Sequence, residues 1–189
     1  MLLLMTSFNV DKKTYTYIAN ADPIEVVASP IYKEEIMLLA RLLNSECPKE
    51  PLLGQLLVAE SVIHRVDRKN FSKKTKWTVK RVILQRDKKG RPQYDGIDTK
   101  RFYKHPPEEL IAVARYVLLG NTISPKSLEF YHNNPASSDR GWVNYIEKWK
   151  LITVGHHTFC LNPKSPFYKE SDHLIASYNL KQLLCLYNP

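Results

Sequence analysis

Apolar residues recur every three or four positions after residue 30, the spacing that places them on one face of an α-helix. This first stripe consists of Ile36, Leu39, Ala40, Leu43 and Cys47. Ser29 and Pro30 supply an N-cap and a first helical position, and Pro48 ends the pattern. The sequence therefore predicts a helix from residue 30 whose last turn contains Glu46.

The same spacing predicts three more helices. The second begins at residue 51 and extends to residue 66, and it is apolar enough to lie at the centre of a domain. Residues 67–76 are predicted to form a basic connection, and residues 78–85 a short helix. A fourth helix follows residue 107 and ends at Gly120.

Short runs of β-prone residues predict a small sheet beside these helices. Residues 128–131 form one run, and residues 151–154 and 158–160 flank Gly155-His156-His157, which predicts a hairpin. Residues 86–105 show little periodicity and form a long loop, a candidate cleft wall. The predicted fold class is α+β, helix-dominated, with a small antiparallel hairpin or sheet.

The length of 189 residues and the 43% hydrophobic content indicate one core rather than two. We predict an N-terminal arm over residues 1–29, one folded domain over residues 30–162 and a C-terminal extension over residues 163–189. The apolar stretch 173–187 within the extension predicts a helix packed on the outside of the domain.

The net charge and the targeting signals bear on the partners and the compartment that we expect for this protein. Lys and Arg total 28 against 19 for Asp and Glu, and the net charge of +9 favours contact with polyanions such as nucleic acid, anionic lipid or anionic cell wall. The first residues make a poor signal peptide, and no later run reaches membrane-spanning length. Synthesis in a cytoplasm is therefore expected. The three cysteines are far apart, so buried free thiols are expected.

Glu46 is the candidate catalytic group. It is predicted to lie at the C-terminal end of an apolar helix, where the helix dipole disfavours an anion and burial adds to that effect. Both effects raise the pKa of a carboxyl group. A raised pKa suits a general acid, which must hold its proton near neutral pH until a leaving oxygen takes it.

The chain around Glu46 resembles the signature of the SleB-type cell-wall hydrolases, a spore-cortex-lytic family, over the run LLARLLNSECPKEPLLGQLLVAESVIHRV. Glu46 matches the catalytic glutamate of that family, and His64 stands where the family usually has asparagine. Later blocks that resemble the family, in the same order, are Gln93-Tyr94, Phe130-Tyr131-His132-Asn133 and Val154-Gly155-His156-His157-Thr158-Phe159. The resemblance covers about residues 34–160.

The resemblance implies a lysozyme-like fold related to the lytic transglycosylases. The expected reaction cleaves peptidoglycan between N-acetylmuramic acid and N-acetylglucosamine, with Glu46 as the single acid/base and without a cofactor. Residues 30–162 would then be the catalytic domain, and the protein would act on the bacterial cell wall after its synthesis in the cytoplasm. The candidate substrate-binding residues are Gln93, Tyr94, Tyr131, Asn133 and His157. Their aromatic rings would stack on sugars, and their polar groups would bind hydroxyl or N-acetyl groups. A lysozyme proper would need a second carboxylate, for which Asp95 and Asp98 are the candidates.

Other functions fit parts of the sequence less well. His132, His156 and His157 suggest zinc, but adjacent histidines on a strand point to opposite faces, so no metal is expected. A basic cluster between Lys69 and Arg81 surrounds Trp77, yet no recognised nucleic-acid motif accompanies it. The competing hypothesis is a catalytically idle wall-binding or virion structural protein. A phage lysin or virion-associated enzyme, with virion components as partners, is also compatible with the sequence.

Overall fold

The computed structural model describes residues 30–71, 76–133 and 148–169. The predicted N-terminal arm and the predicted helix over residues 173–187 lie outside the described residues. Within them the elements are α1 (Pro30–Glu46), α2 (Leu52–Phe71), α3 (Val79–Ile83), a 3-10 helix (Asp95–Asp98), α4 (Glu108–Leu118), β1 (Leu128–Asn133), β2 (Lys150–Val154) and β3 (His157–Leu161). This helix-rich arrangement with one small antiparallel sheet confirms the predicted α+β class.

The helices begin and end close to the predicted positions. Helix α1 spans the predicted stripe, and Thr78 caps α3 by accepting a hydrogen bond from the backbone N–H of Arg81. One boundary was wrong: residues 67–71 continue α2 instead of joining the basic connection. Arg68 and Lys69 are good helix formers, and their charges are favourable in a last turn.

The hydrophobic core lies where α1, α2 and α4 pack against one another and against the sheet. Helix α2 is the most central element, since its face toward α4 and β1 is almost completely buried. The largest fully buried side chains are Phe159, Leu39, Leu42, Leu43, Leu52, Leu53, Leu57, Ile83, Leu110, Leu128 and Leu161. Burial of this apolar surface is the main force that holds the helices together and α2 against β1.

The sheet has the strand order β1-β3-β2, with both pairs antiparallel. Strands β2 and β3 form the predicted hairpin, whose turn consists of Gly155 and His156 because His157 already belongs to β3. In the register of β1 with β3, Tyr131 lies opposite Phe159 and Asn133 lies opposite His157. Tyr131, His157 and Phe159 therefore share one face of the sheet.

Candidate active site

Glu46 is the last residue of α1, and both of its carboxyl oxygens have hydrogen-bond donors. The backbone N–H of Gly96 donates to Oε1 at 2.6 Å, and the hydroxyl of Tyr131 donates to Oε2 at 3.1 Å. The first donor comes from the long loop and the second from β1, so three separate parts of the chain meet at this side chain. The side chain is half-buried.

Burial raises the pKa of Glu46, and this is the largest influence on the group. The hydrogen bonds from Gly96 and Tyr131 lower the pKa because they stabilise the ionised carboxylate, and the negative charge of Asp95 raises it again. The net shift of the pKa is upward. The raised pKa expected from the sequence is therefore confirmed, with burial as its main cause.

Gly96 allows the long loop to approach Glu46 closely. A Cβ atom at Gly96 would lie 2.5 Å from Glu46 Oε1 and 2.5 Å from the Oγ of Ser45, distances that a real Cβ does not tolerate. The residue lies in the 3-10 helix, which begins directly after Tyr94. Gly96 was not among the site residues predicted from the sequence, although a glycine inside an otherwise irregular loop is a signal of close backbone approach.

The ring of Tyr131 is held by aromatic neighbours. Its centroid is 5.1 Å from that of His157, in an edge-to-face arrangement, and 5.8 Å from that of Phe159. The Tyr94 ring is 6.3 Å away on another side. Burial and the nearby Glu46 carboxylate raise the pKa of Tyr131 well above its usual value, so the hydroxyl keeps its proton and remains a donor.

Arg65 organises the two loop residues named as substrate-binding candidates. Its Nη1 donates to the Tyr94 hydroxyl at 3.1 Å, and its Nη2 donates to the Gln93 Oε1 at 2.6 Å. The guanidinium group also lies over the Tyr94 ring, 5.3 Å from its centroid. Gln93 is exposed, whereas Tyr94 is only 3% exposed and presents no accessible ring face for a sugar.

The remaining candidates occupy different environments. Asn133 is exposed at the end of β1, next to the buried His157. The imidazole of His157 is 2% exposed, and burial lowers its pKa, so it lies behind Tyr131 rather than at the surface. Asp98 binds Arg86 through both carboxyl oxygens, while Asp95 is exposed and directly precedes Gly96.

Glu50 is a second residue that the sequence analysis missed. It lies in the turn between α1 and α2, four positions after Glu46, and it is 8% exposed. Both of its carboxyl oxygens accept the backbone N–H of His156, at 3.1 Å each. The available signal was a glutamate directly before the proline that opens α2.

The described ranges 30–71, 76–133 and 148–169 contain no group of three or more His, Cys, Asp or Glu side chains arranged to hold a metal ion. In the same ranges, no helix combines the length and the apolar character that crossing a membrane requires.

Comparisons with known proteins show which family and which solved structures this chain is similar to. The family model described as "Cell Wall Hydrolase" matches residues 49–160, more than half of the chain. This match begins after Glu46 and includes Gly96, Tyr131 and the hairpin. No curated protein matches the chain.

Two solved structures share the fold. The catalytic domain of the germination-specific lytic transglycosylase SleB from Bacillus anthracis has a TM-score of 0.54 and 22% identity, covering 68% of this chain and 94% of that one. The catalytic domain of the Bacillus cereus SleB protein has a TM-score of 0.53 and 21% identity, covering 68% of this chain and 90% of that one. At these identities the likeness shows the fold.

Proposed function

The chain belongs to the cell wall hydrolase family, and we propose that it acts as a lytic transglycosylase. It is an enzyme that cleaves peptidoglycan, and its single acid/base is Glu46. The bond it cuts joins N-acetylmuramic acid to N-acetylglucosamine. The observation that carries this proposal is the Glu46 carboxyl group, which is half-buried, has a raised pKa and accepts hydrogen bonds on both oxygens.

In the first step Glu46 acts as a general acid. The Gly96 N–H can only donate, so Oε1 serves as the acceptor oxygen and the acidic proton resides on Oε2, beside Tyr131. Glu46 gives this proton to the glycosidic oxygen while the bond from that oxygen to C1 of N-acetylmuramic acid breaks. The sugar then carries oxocarbenium-like positive charge, and the newly ionised carboxylate is stabilised by the Gly96 and Tyr131 donors.

In the second step the ionised Glu46 acts as a base. It removes the proton from the C6 hydroxyl of the same N-acetylmuramic acid. The C6 oxygen then attacks C1 and closes a 1,6-anhydro ring. The carboxyl group regains its proton, so the enzyme returns to its starting state. No water is consumed, and no second carboxylate is required.

The surroundings of Glu46 support one carboxylate rather than two. Asp98 is bound by Arg86, which leaves Asp95 as the acidic group of the long loop that affects Glu46 electrostatically. Asp95 directly precedes Gly96, whose backbone N–H donates to Oε1 of Glu46. The name of the Bacillus anthracis neighbour, a lytic transglycosylase with the same fold, also favours this mechanism.

Product analysis tests the mechanism. Purified peptidoglycan is digested with the wild type, Asp95→Asn and Asp98→Asn, and the soluble fragments are analysed by mass spectrometry. We expect 1,6-anhydro ends from all three enzymes, with rates within about threefold of one another because neither aspartate takes part. Reducing ends that disappear in Asp95→Asn would instead establish a hydrolase with two carboxylates, and the proposed mechanism would be wrong.

A further inference from the structure

Glu50 is bonded at each of its polar groups, which is unusual for a residue in a short turn. Its backbone N–H donates to the carbonyl of Cys47 at 3.2 Å, and its own carbonyl accepts the side-chain amide of Gln55 at 3.0 Å. Its carboxylate binds the N–H of His156. The backbone of Glu50 is thus bonded to the residue that follows α1 and to α2, and its carboxylate is bonded to the hairpin turn.

The hairpin turn lies directly on the Glu50 carboxylate. Gly155 has φ of 55°, a left-handed conformation that favours glycine. A Cβ atom at Gly155 would lie 1.7 Å from Glu50 Oε2, so no larger residue fits while the carboxylate stays in place. The Nδ1 atom of His157 is 3.8 Å from Glu50 Oε1 on the same side.

The hairpin in turn positions Tyr131. His157 and Phe159 lie on the face of β3 that contacts the Tyr131 ring, and Phe159 is the direct cross-strand partner of Tyr131. A displacement of the first residues of β3 would therefore move this ring. The Tyr131 hydroxyl is the group that bonds Glu46, 3.1 Å away.

We propose that Glu50 is a positioning residue, which fixes the hairpin turn to the junction of α1 and α2 and thereby keeps the Tyr131 hydroxyl on the Glu46 carboxyl group. The inference rests on the proposed function of Glu46. Two carboxyl groups four residues apart then attach the same junction to the sheet, Glu46 at β1 and Glu50 at the β2-β3 turn. Strand β1 also packs on α2, so the Glu50 bond acts in particular on the hairpin turn and on the first residues of β3.

The test measures kcat, KM and the pH dependence of kcat on solubilised glycan strands. Protonated Glu46 is the acid, so kcat falls as the pH rises through its pKa. Tyr131 lowers that pKa by donating to the carboxylate. Tyr131→Phe should therefore move the alkaline limb of the profile to higher pH and lower kcat about tenfold or more.

Glu50→Ala should reproduce this signature, with the limb at higher pH, kcat about tenfold lower and KM within about twofold of the wild type. Glu50→Gln keeps one oxygen for the His156 N–H and should be intermediate. In the Tyr131→Phe background, Glu50→Ala should lower kcat by no more than about twofold, because its effect passes through Tyr131.

A matched control is Val82→Ala, which removes buried apolar volume from α3, an element that packs on α1 and α2. It should lower thermal stability and leave kcat and the alkaline limb unchanged. An alkaline limb that does not move in Glu50→Ala, or effects of Glu50→Ala and Tyr131→Phe that multiply, would overturn the inference.

Two further outcomes remain distinguishable. If Glu50→Ala does not fold, Glu50→Gln decides: a smaller upward move of the limb supports the inference, and an unmoved limb overturns it. If Glu46→Gln is inactive while Glu50→Ala behaves as the wild type, only this inference fails. If Glu46→Gln keeps wild-type activity, the proposed function itself fails.

Discussion

At the residue scale, opposing effects act on the pKa of one carboxyl group, that of Glu46. Burial and the charge of Asp95 raise the pKa of Glu46, while the donors from Gly96 and Tyr131 lower it. The first pair lets the group hold a proton near neutral pH, and the second stabilises the carboxylate that remains after the proton leaves. A group that must act first as an acid and then as a base benefits from both.

Gly96→Ala tests the close approach of the loop. The added methyl group would meet Glu46 Oε1 and Ser45 Oγ at 2.5 Å, so the loop must move away and the N–H bond to Glu46 must lengthen or break. We expect about a tenfold or greater loss of kcat and a loss of stability of about 1–3 kcal/mol. Glycan-strand kinetics and urea unfolding measure the two effects.

Gly54→Ala is the matched control for Gly96→Ala. A Cβ at Gly54 would meet Glu50 and Val154 at 3.4–3.5 Å, ordinary contacts that displace neither side chain, and alanine is favoured within a helix such as α2. This variant should be as active as the wild type and at least as stable. Wild-type activity in Gly96→Ala as well as in Gly54→Ala would show that the Gly96 contact is dispensable.

The prediction of Glu46 rests on two features of the sequence: its place in the last turn of an apolar helix that ends before Pro48, and the resemblance of the surrounding run to the SleB-type family. Gly96 is 50 positions away along the chain and is brought to Glu46 only by tertiary packing. The burial of Tyr94 and His157 depends on how loop and sheet pack together, which the alternation of residues does not encode. The expectation that Tyr94 stacks on a sugar came from its residue type, because the sequence does not show that its ring is buried.

At the element scale, a buried carboxyl group fastens the chain before β1 to the middle of α2. Glu60 is fully buried and accepts the backbone N–H of Ile123 at 2.8 Å and that of Ser124 at 3.0 Å, together with the Ser124 hydroxyl. These hydrogen bonds lower the pKa of Glu60, but burial outweighs them and raises it to about 7.

This shift predicts a pH dependence of stability. The pKa of Glu60 is higher in the folded chain than in the unfolded chain, so its contribution to stability is complete below pH of about 4.5 and is lost as the pH rises through about 7. The free energy of unfolding should fall by up to about 3 kcal/mol from this group across that interval. Urea unfolding at pH 4.5, 6 and 7.5 measures it.

Glu60→Gln isolates the contribution of this group. The amide cannot ionise, so the difference in unfolding free energy between wild type and variant should shrink or reverse as the pH rises. At low pH the variant should be less stable, because one amide oxygen replaces two acceptors. A difference between the two proteins that stays constant with pH would contradict the assignment.

Most element boundaries followed from local signals, including the proline that begins α1, the proline before α2, the threonine cap of α3 and the glycine after α4. The C-terminal end of α2 did not, because a run of basic residues is equally typical of a helix end and of a loop. The 3-10 helix was missed for a related reason: it spans only Asp95–Asp98, too short for any periodicity.

At the scale of the whole molecule, the family assignment and the net charge of +9 are consistent with an enzyme that works on an anionic wall. The resemblance seen in the sequence extends through residues 34–160, and the family model matches residues 49–160 within the predicted domain 30–162. Fold and enzyme class were thus predictable from motifs distributed along the chain. The position of the sheet was not, since it depends on contacts between residues distant in sequence, such as the packing of β1 on α2 and the bond of Tyr131 to Glu46.

The most direct test of the central claim compares Glu46→Gln with Glu34→Gln, the same substitution on the same helix. Glu34 is exposed and paired with Lys80, so its variant controls for the change of charge. Release of soluble fragments from peptidoglycan is measured after both proteins are shown to be folded. Glu46→Gln should lose activity by about a hundredfold to ten-thousandfold while Glu34→Gln matches the wild type. A folded Glu46→Gln protein that releases fragments at the wild-type rate would contradict the account.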